Sequence, residues 1–287
     1  MKIGLSSYSL FAAMKTGEMT ILDVIDWTSE QGFEHIEIVP NLGFAWEDDH
    51  LIDQVRERAA EKGIEISNYA IGANFLQPTE EDYQAEIQRV KKEVDIAHRL
   101  GAKLMRHDIA SRGIPETTIA NFEKDLPLLV SACQEVADYA HQYGITTSIE
   151  NHGYYIQQSD RVQSVINHVD RENFKTTMDV GNFLCADESP LAAVQKNIAF
   201  ASMVHIKDFY QRPAHLNPGE GWIPTIAGNY LRSAIIGHGD IPMREVLRVI
   251  KASDYDGYVS IEFEGLEECK LASKLSLTNL KNMWQEI

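Results

Sequence analysis

The sequence predicts a closed barrel of eight parallel strands, each followed by a helix, and three observations predict it. Short β-rich runs alternate strictly with longer amphipathic stretches through all 287 residues, which implies parallel strands joined by crossover helices. Eight such units in a chain of this length suit a (β/α)8 barrel. The first turn, Ser6-Ser7-Tyr8-Ser9-Leu10, lacks the phosphate-cradling glycines that mark an open, doubly wound sheet.

Taken in order, the strand readings are 3–8, 35–39, 64–69, 103–107, 145–150, 174–179, 203–207 and 258–263. Helical periodicity covers 21–31, 51–62, 80–100, 116–143, 159–168, 190–199, 243–251 and 266–283. The first four helices run into Gln31-Gly32, Lys62-Gly63, Leu100-Gly101 and Tyr143-Gly144 just before a strand. Glycine there ends a helix in the left-handed conformation and turns the chain. The segment 209–242, between the seventh strand and its helix, breaks the rhythm. It is rich in proline, glycine and aromatics, including Pro213, Gly221, Trp222 and Tyr230. A connection this long is a functional lid or a disordered stretch, and its aromatics favour an ordered lid or an oligomer contact. With no repeat beyond the β/α alternation, 1–287 reads as one barrel domain, a (β/α)8 TIM barrel with its site at the C-terminal face of the strands.

The formal net charge of −17 disfavours a nucleic-acid partner, because no dense basic patch offsets it. No apolar run is long enough for a membrane helix. The opening MKIGLSSYSL lacks the apolar core of a signal peptide. Cys133, Cys185 and Cys269 stand far apart without a CxxC pair. Together these set the expectation of a reduced, cytoplasmic protein without a structural zinc cluster.

Barrel enzymes act at the carboxyl ends of their strands. Here four successive strands end in Glu150, Asp179, His205 and Glu262. Alone, an acid at a strand end is more often a helix cap, and a histidine in an apolar run more often a core residue. Four together on consecutive strands are different, since inward carboxylates are costly without a compensating cation. Three carboxylates and an imidazole suit one divalent ion, Mn²⁺ first, with Mg²⁺, Co²⁺ or Zn²⁺ as alternatives.

At this point the sequence resembles the xylose isomerase-like barrels, which include sugar epimerases and isomerases, inosose dehydratase and the endonuclease IV-type enzymes. The motifs that carry the resemblance are Ser148-Ile149-Glu150-Asn151, Met178-Asp179-Val180-Gly181-Asn182, Val204-His205-Ile206-Lys207-Asp208, Ile236-Gly237-His238-Gly239-Asp240-Ile241 and Ser260-Ile261-Glu262. The resemblance implies that Glu150 and Glu262 bind metal and also move a proton beside the carbonyl of a keto-sugar or polyol ketone, through an enediolate. Return of the proton to the opposite face gives an epimerase and return to the next carbon gives an isomerase. Loss of a β-hydroxyl gives a dehydratase of the inosose kind. The sequence favours an isomerase, with the dehydratase as the alternative. An endonuclease IV-type nuclease is remote, since that chemistry uses more histidine ligands and this chain has Asn182 where the family has one. The same resemblance implies a homo-oligomer, a dimer or tetramer.

Five further residues are expected to meet substrate: His107 at the end of the fourth strand, His152, Asn182, Lys207 on the face of His205, and Arg232, which resembles an arginine the family uses on a substrate oxygen. The competing readings are structural caps and salt bridges. Glu264 and Asp108 are expected to support the site, Trp46 is as much a packing residue as a sugar platform, and Cys185 has no base arranged to make it a nucleophile. No glycine-rich phosphate site is evident, which favours an unphosphorylated substrate.

Overall fold

Eight parallel strands close on themselves in a computed structural model that describes residues 1–46 and 48–287. They are β1 (Lys2–Ser6), β2 (His35–Ile38), β3 (Glu65–Ile71), β4 (Leu104–His107), β5 (Thr146–Glu150), β6 (Phe174–Asp179), β7 (Ala201–Ile206) and β11 (Tyr258–Ile261). β11 pairs with both β1 and β7 and so completes the ring. The helices are α1 (Phe11–Lys15), α2 (Ile21–Glu30), α3 (Asp49–Glu61), α4 (Glu80–Leu100), α5 (Ile119–His141), α6 (Ser159–Val169), α7 (Pro190–Asn197), α8 (Met243–Ala252) and α9 (Cys269–Glu286).

Local chemistry sets the helix ends. Thr20 and Asp23 form a reciprocal capping box at the start of α2, and Asp48, Thr79 and Thr118 accept first-turn N–H groups of α3, α4 and α5. At the other end Gly101 takes φ +81°, so its N–H closes onto carbonyls of α4. Gly32, Gly63 and Gly144 are left-handed in the same way, as their position before a strand predicts.

The strand pleat divides the side chains. Leu5, Ile36, Ile38, Tyr69, Met105, Ile149, Met178, Val204, Ile206 and Ile261 are buried in the apolar layer beneath the helices. The lumen is polar. His205 on β7 touches Glu37 on β2 at 3.0 Å, although β11 and β1 lie between their strands in the ring, so the contact crosses the interior. Lower in the barrel, the His35 ring fills the space beside Gly4, where a Cβ would meet its Nδ1 at 2.1 Å.

The segment 209–242 is ordered. It contributes to an antiparallel sheet of three strands, β8 (Asp208–Arg212), β9 (Ile223–Pro224) and β10 (Tyr230–Ala234), in the order β8-β10-β9. The motif that follows folds around one carboxylate. Buried Asp208 accepts N–H groups of Phe209 at 2.9 Å, Gly237 at 2.9 Å and Gly239 at 3.0 Å. No helix is long and apolar enough to cross a membrane among the described residues.

Candidate metal centre and barrel mouth

Glu150 and Asp179 end β5 and β6, His205 lies one residue from the end of β7, and Glu262 follows β11 directly. All four are buried, and each offers one donor atom within 4.8 Å of the others. His205 Nδ1 faces the three carboxylates, 3.8 Å from Glu150 Oε1, 3.9 Å from Asp179 Oδ2 and 3.8 Å from Glu262 Oε1. Among the described residues, neither His205 Nδ1 nor Asp179 Oδ2 makes a hydrogen bond, and a buried polar atom left this way is costly. Donors that share one ion at about 2.1 Å stand roughly 3–4 Å apart. The four residues therefore fit one divalent ion of the hard or borderline kind.

Two buried cations flank this cage. Lys207 Nζ lies 2.7 Å from Glu262 Oε2, 3.4 Å from Asp179 Oδ2 and 3.2 Å from Glu264 Oε1. Arg106 Nη2 lies 2.7 Å from Glu150 Oε2, and its Nη1 donates to the Ile71 carbonyl at 3.0 Å. These charges shape the titration of the cluster. Burial pushes the Asp179 carboxyl up to about 6 against the pull of Lys207. Burial also works against charge at Glu262, yet Lys207 and His205 outweigh it and hold that carboxyl well below the ordinary range. At His205, burial is outweighed by Glu37, Glu262 and Glu150, which push the imidazole up to about 10.

A cavity of about 460 Å³ opens above the cage, lined by Tyr8, Arg106, Asp108, Glu150, His152, Lys207, Glu262 and Glu264, with Asn41 and Leu42 at its rim. A larger cavity of about 650 Å³ lies among Leu104, Thr146, Lys175 and Tyr255, by the starting ends of the strands, and includes none of the four metal-site residues.

The other expected residues take four different places. Lys207, Glu264, His152 and Asp108 line the mouth, with His152 Nδ1 3.5 Å from Asp108 Oδ1. Asn182 is buried behind the cage rather than in the open mouth. Its Nδ2 donates to Glu150 Oε1 at 3.0 Å and its backbone N–H to Asp179 Oδ1 at 2.8 Å. Arg232 lies in an adjoining cavity of about 190 Å³ that shares Tyr8 and Glu264 with the mouth. Its guanidinium stacks 4.9 Å from the ring centre of Tyr210 and 5.4 Å from that of Trp222.

His107 is placed outside the mouth, against the expectation that it meets substrate. It is fully buried, its Nδ1 sits 3.0 Å from its neighbour's carbonyl, and its ring packs against Phe75 and Phe174. The pleat turns Arg106, the residue before it, into the lumen instead. Trp46 donates to Tyr69 Oη at 2.9 Å as a packing residue, and burial pushes the Cys185 thiol up to about 12. The sequence reading missed Arg106, Glu37 and Tyr8. The second strand, His-Ile-Glu-Ile, did carry a signal for Glu37, an acid between two isoleucines.

Comparison with known proteins gives a match to the family model described as xylose isomerase-like TIM barrel over residues 25–282. An inosose dehydratase of Glaesserella parasuis is 26% identical over 223 residues, which span 71% of this chain and 70% of that protein. Among solved structures, a probable 3-DHS dehydratase of Bacillus anthracis superimposes with a TM-score of 0.74 at 16% identity, covering 98% of this chain and 99% of that one. A D-allulose 3-epimerase of Methylomonas sp. gives 0.74 at 16% identity, covering 99% and 98%. At these identities the two structures speak for the fold alone.

Proposed function

The chain belongs to the xylose isomerase-like TIM barrel family, and on that premise we propose that it is a divalent-metal-dependent enzyme that moves a proton beside the carbonyl of a keto-sugar or polyol ketone. The observation that carries this reading is the arrangement of Glu150 and Glu262. They stand on either side of His205, each 3.8 Å from its Nδ1, and each has a cation on its other oxygen. An ion held by Glu150, Asp179, His205 and Glu262, Mn²⁺ by preference, would act as a Lewis acid that acidifies the carbon next to a carbonyl.

The chain's own residues supply the rest. One glutamate carboxylate takes the proton from the carbon, leaving an enediolate, and the carboxylic acid of the other returns a proton to the opposite face. The outcome is inversion of one carbon, the epimerase reading. Arg106 and Lys207 fix the two carboxylates, and Lys207, His152 and Glu264 offer hydrogen-bonding groups to substrate hydroxyls in the mouth. Arg232 reaches the far end of a longer substrate through the adjoining cavity.

A dehydratase is the second reading, and the inosose dehydratase relative favours it. In that case the β-hydroxyl leaves as water after the same proton abstraction, with a proton supplied by the acid across the cage.

The test is solvent exchange in D₂O with Mn²⁺-loaded protein against a panel of free keto-sugars and inososes, followed by NMR. Deuterium at one carbon of a mass-neutral product supports the epimerase or isomerase. An ultraviolet-absorbing product that has lost water supports the dehydratase. Wild type that exchanges nothing across the panel, or Glu150→Gln and Glu262→Gln variants that exchange as fast as wild type, would sink the assignment of the two glutamates.

A further inference from the structure

We propose that Glu37 is the positioning residue of the metal centre, fixing the ring of His205 so that the Nδ1 lone pair faces the ion. The inference rests on the metal reading above. Glu37 is fully buried, and its Oε2 is the meeting point of two donors, His205 Nε2 at 3.0 Å and Asn68 Nδ2 at 2.6 Å. Asn68 is its register partner on β3, so the sheet itself holds the amide beside the carboxylate.

The chemistry of the donor set dictates the tautomer. An ionised carboxylate only accepts, and Asn68 already donates to the same oxygen, so Nε2 must carry its proton. The one remaining lone pair of a neutral imidazole is then on Nδ1, the atom that faces Glu150, Asp179 and Glu262 and has no hydrogen-bond partner among the described residues. Metal-bound histidines generally donate their other ring N–H to a carboxylate or carbonyl, and removal of that partner weakens metal binding by about 10–100-fold. Glu37 meets this requirement from across the barrel interior, with β11 and β1 between its strand and β7. A carboxylate buried this deeply is expensive, and its Oε1 has no hydrogen-bond partner among the described residues, so its bonding is directed at His205 and the amide that steadies it.

The experiment compares wild type, Glu37→Gln and Glu37→Leu, with Mn²⁺ affinity measured by calorimetry in a chelator buffer and melting of the metal-free proteins as a fold control. Gln keeps the shape and one acceptor, so about a 10-fold loss of affinity is expected; Leu keeps only volume, so about 100-fold. Nitrogen NMR of the Zn²⁺-loaded wild type should show His205 bound through Nδ1 with a proton on Nε2. A merely structural role would move melting but neither the tautomer nor the affinity of the folded Gln variant. If Glu37→Gln binds Mn²⁺ within about threefold of wild type, or the loaded ring carries its proton on Nδ1, the positioning role is overturned while the metal centre stands. If wild type itself binds no divalent ion, the metal reading and the inference both fall.

Discussion

Arg106 Nη2 rests 2.7 Å from Glu150 Oε2 at the inner wall of the barrel, with both side chains buried. The pair does two jobs. It gives Glu150 Oε2 a charge partner when no ion is bound, while Oε1 accepts from Asn182, and it fixes the carboxylate proposed to move the proton. Breaking one half of a buried pair costs about 3–5 kcal/mol because the other charge is stranded. Arg106→Met should therefore lower metal-free stability by about 3 kcal/mol in urea unfolding, and Arg106→Met/Glu150→Gln should recover most of that loss. Equal losses in the single and double variants would mean that Arg106 acts through packing or its Ile71 contact instead.

Lys207 makes a second prediction, about metal removal. Its ammonium touches Glu262, Asp179 and Glu264 and so stands in for part of a divalent charge. In Lys207→Met the acids face one another with less compensation, which an ion would relieve. Chelation should therefore lower the melting temperature of the variant by about twice as many degrees as it lowers that of wild type. A chelator response no larger than that of wild type would remove Lys207 from the charge balance of the cage.

The four candidate ligands were legible because consecutive strands each carry a metal-binding side chain at or beside the carboxyl end, and the pleat brings all four inward together. The same pleat hid Arg106. In Leu-Met-Arg-His the two last residues are both polar, and a shift of one residue decides which of them faces the lumen. Only the ring's closure, with Arg106 against Glu150 and His107 against Phe75, fixes that choice. Glu37 was hidden for a different reason: its partner is 168 residues away across the barrel, and no local spacing reports such a contact. The 209–242 segment has the turn residues of a loop, and its strands β8 and β10 are too irregular in alternation to announce themselves.

Gly239 tests why Gly-His-Gly-Asp follows His-Ile-Lys-Asp. A Cβ on Gly239 would meet Asp208 Oδ1 at 2.1 Å, inside the group that accepts the Gly237 and Gly239 N–H groups. Gly239→Ala must push the carboxylate out of its ring of donors and leave buried N–H groups unpaired, at a cost of about 1–3 kcal/mol each. Gly72→Ala is the control, since its nearest neighbour would be Asp108 Oδ2 at an ordinary 3.9 Å. Denaturant unfolding should show a loss of more than about 2 kcal/mol for Gly239→Ala and less than about 1 for Gly72→Ala. Similar values for the two would mean that the Asp208 ring yields freely.

His107, displaced from the mouth, has a structural consequence in acid. Burial between Phe75 and Phe174 pulls its imidazole down to about 4, whereas in the unfolded chain it titrates near 6.5. Between those values the unfolded chain binds more protons than the folded one. The stability linked to this ring is therefore fully present above about pH 6.5 and is lost as the pH falls toward 4. The gap is worth up to about 3 kcal/mol. His107→Leu keeps an apolar group in the same slot but has nothing to protonate, so its stability should fall less steeply than that of wild type over this window. The curves should converge by about 2–3 kcal/mol between pH 7 and pH 4.5. Residual acid sensitivity is expected in the variant, because burial also holds His35 down to about 4. Parallel curves for wild type and His107→Leu would show that the ring is protonated in the fold as easily as in water, and would reopen a solvent-facing place for it at the mouth.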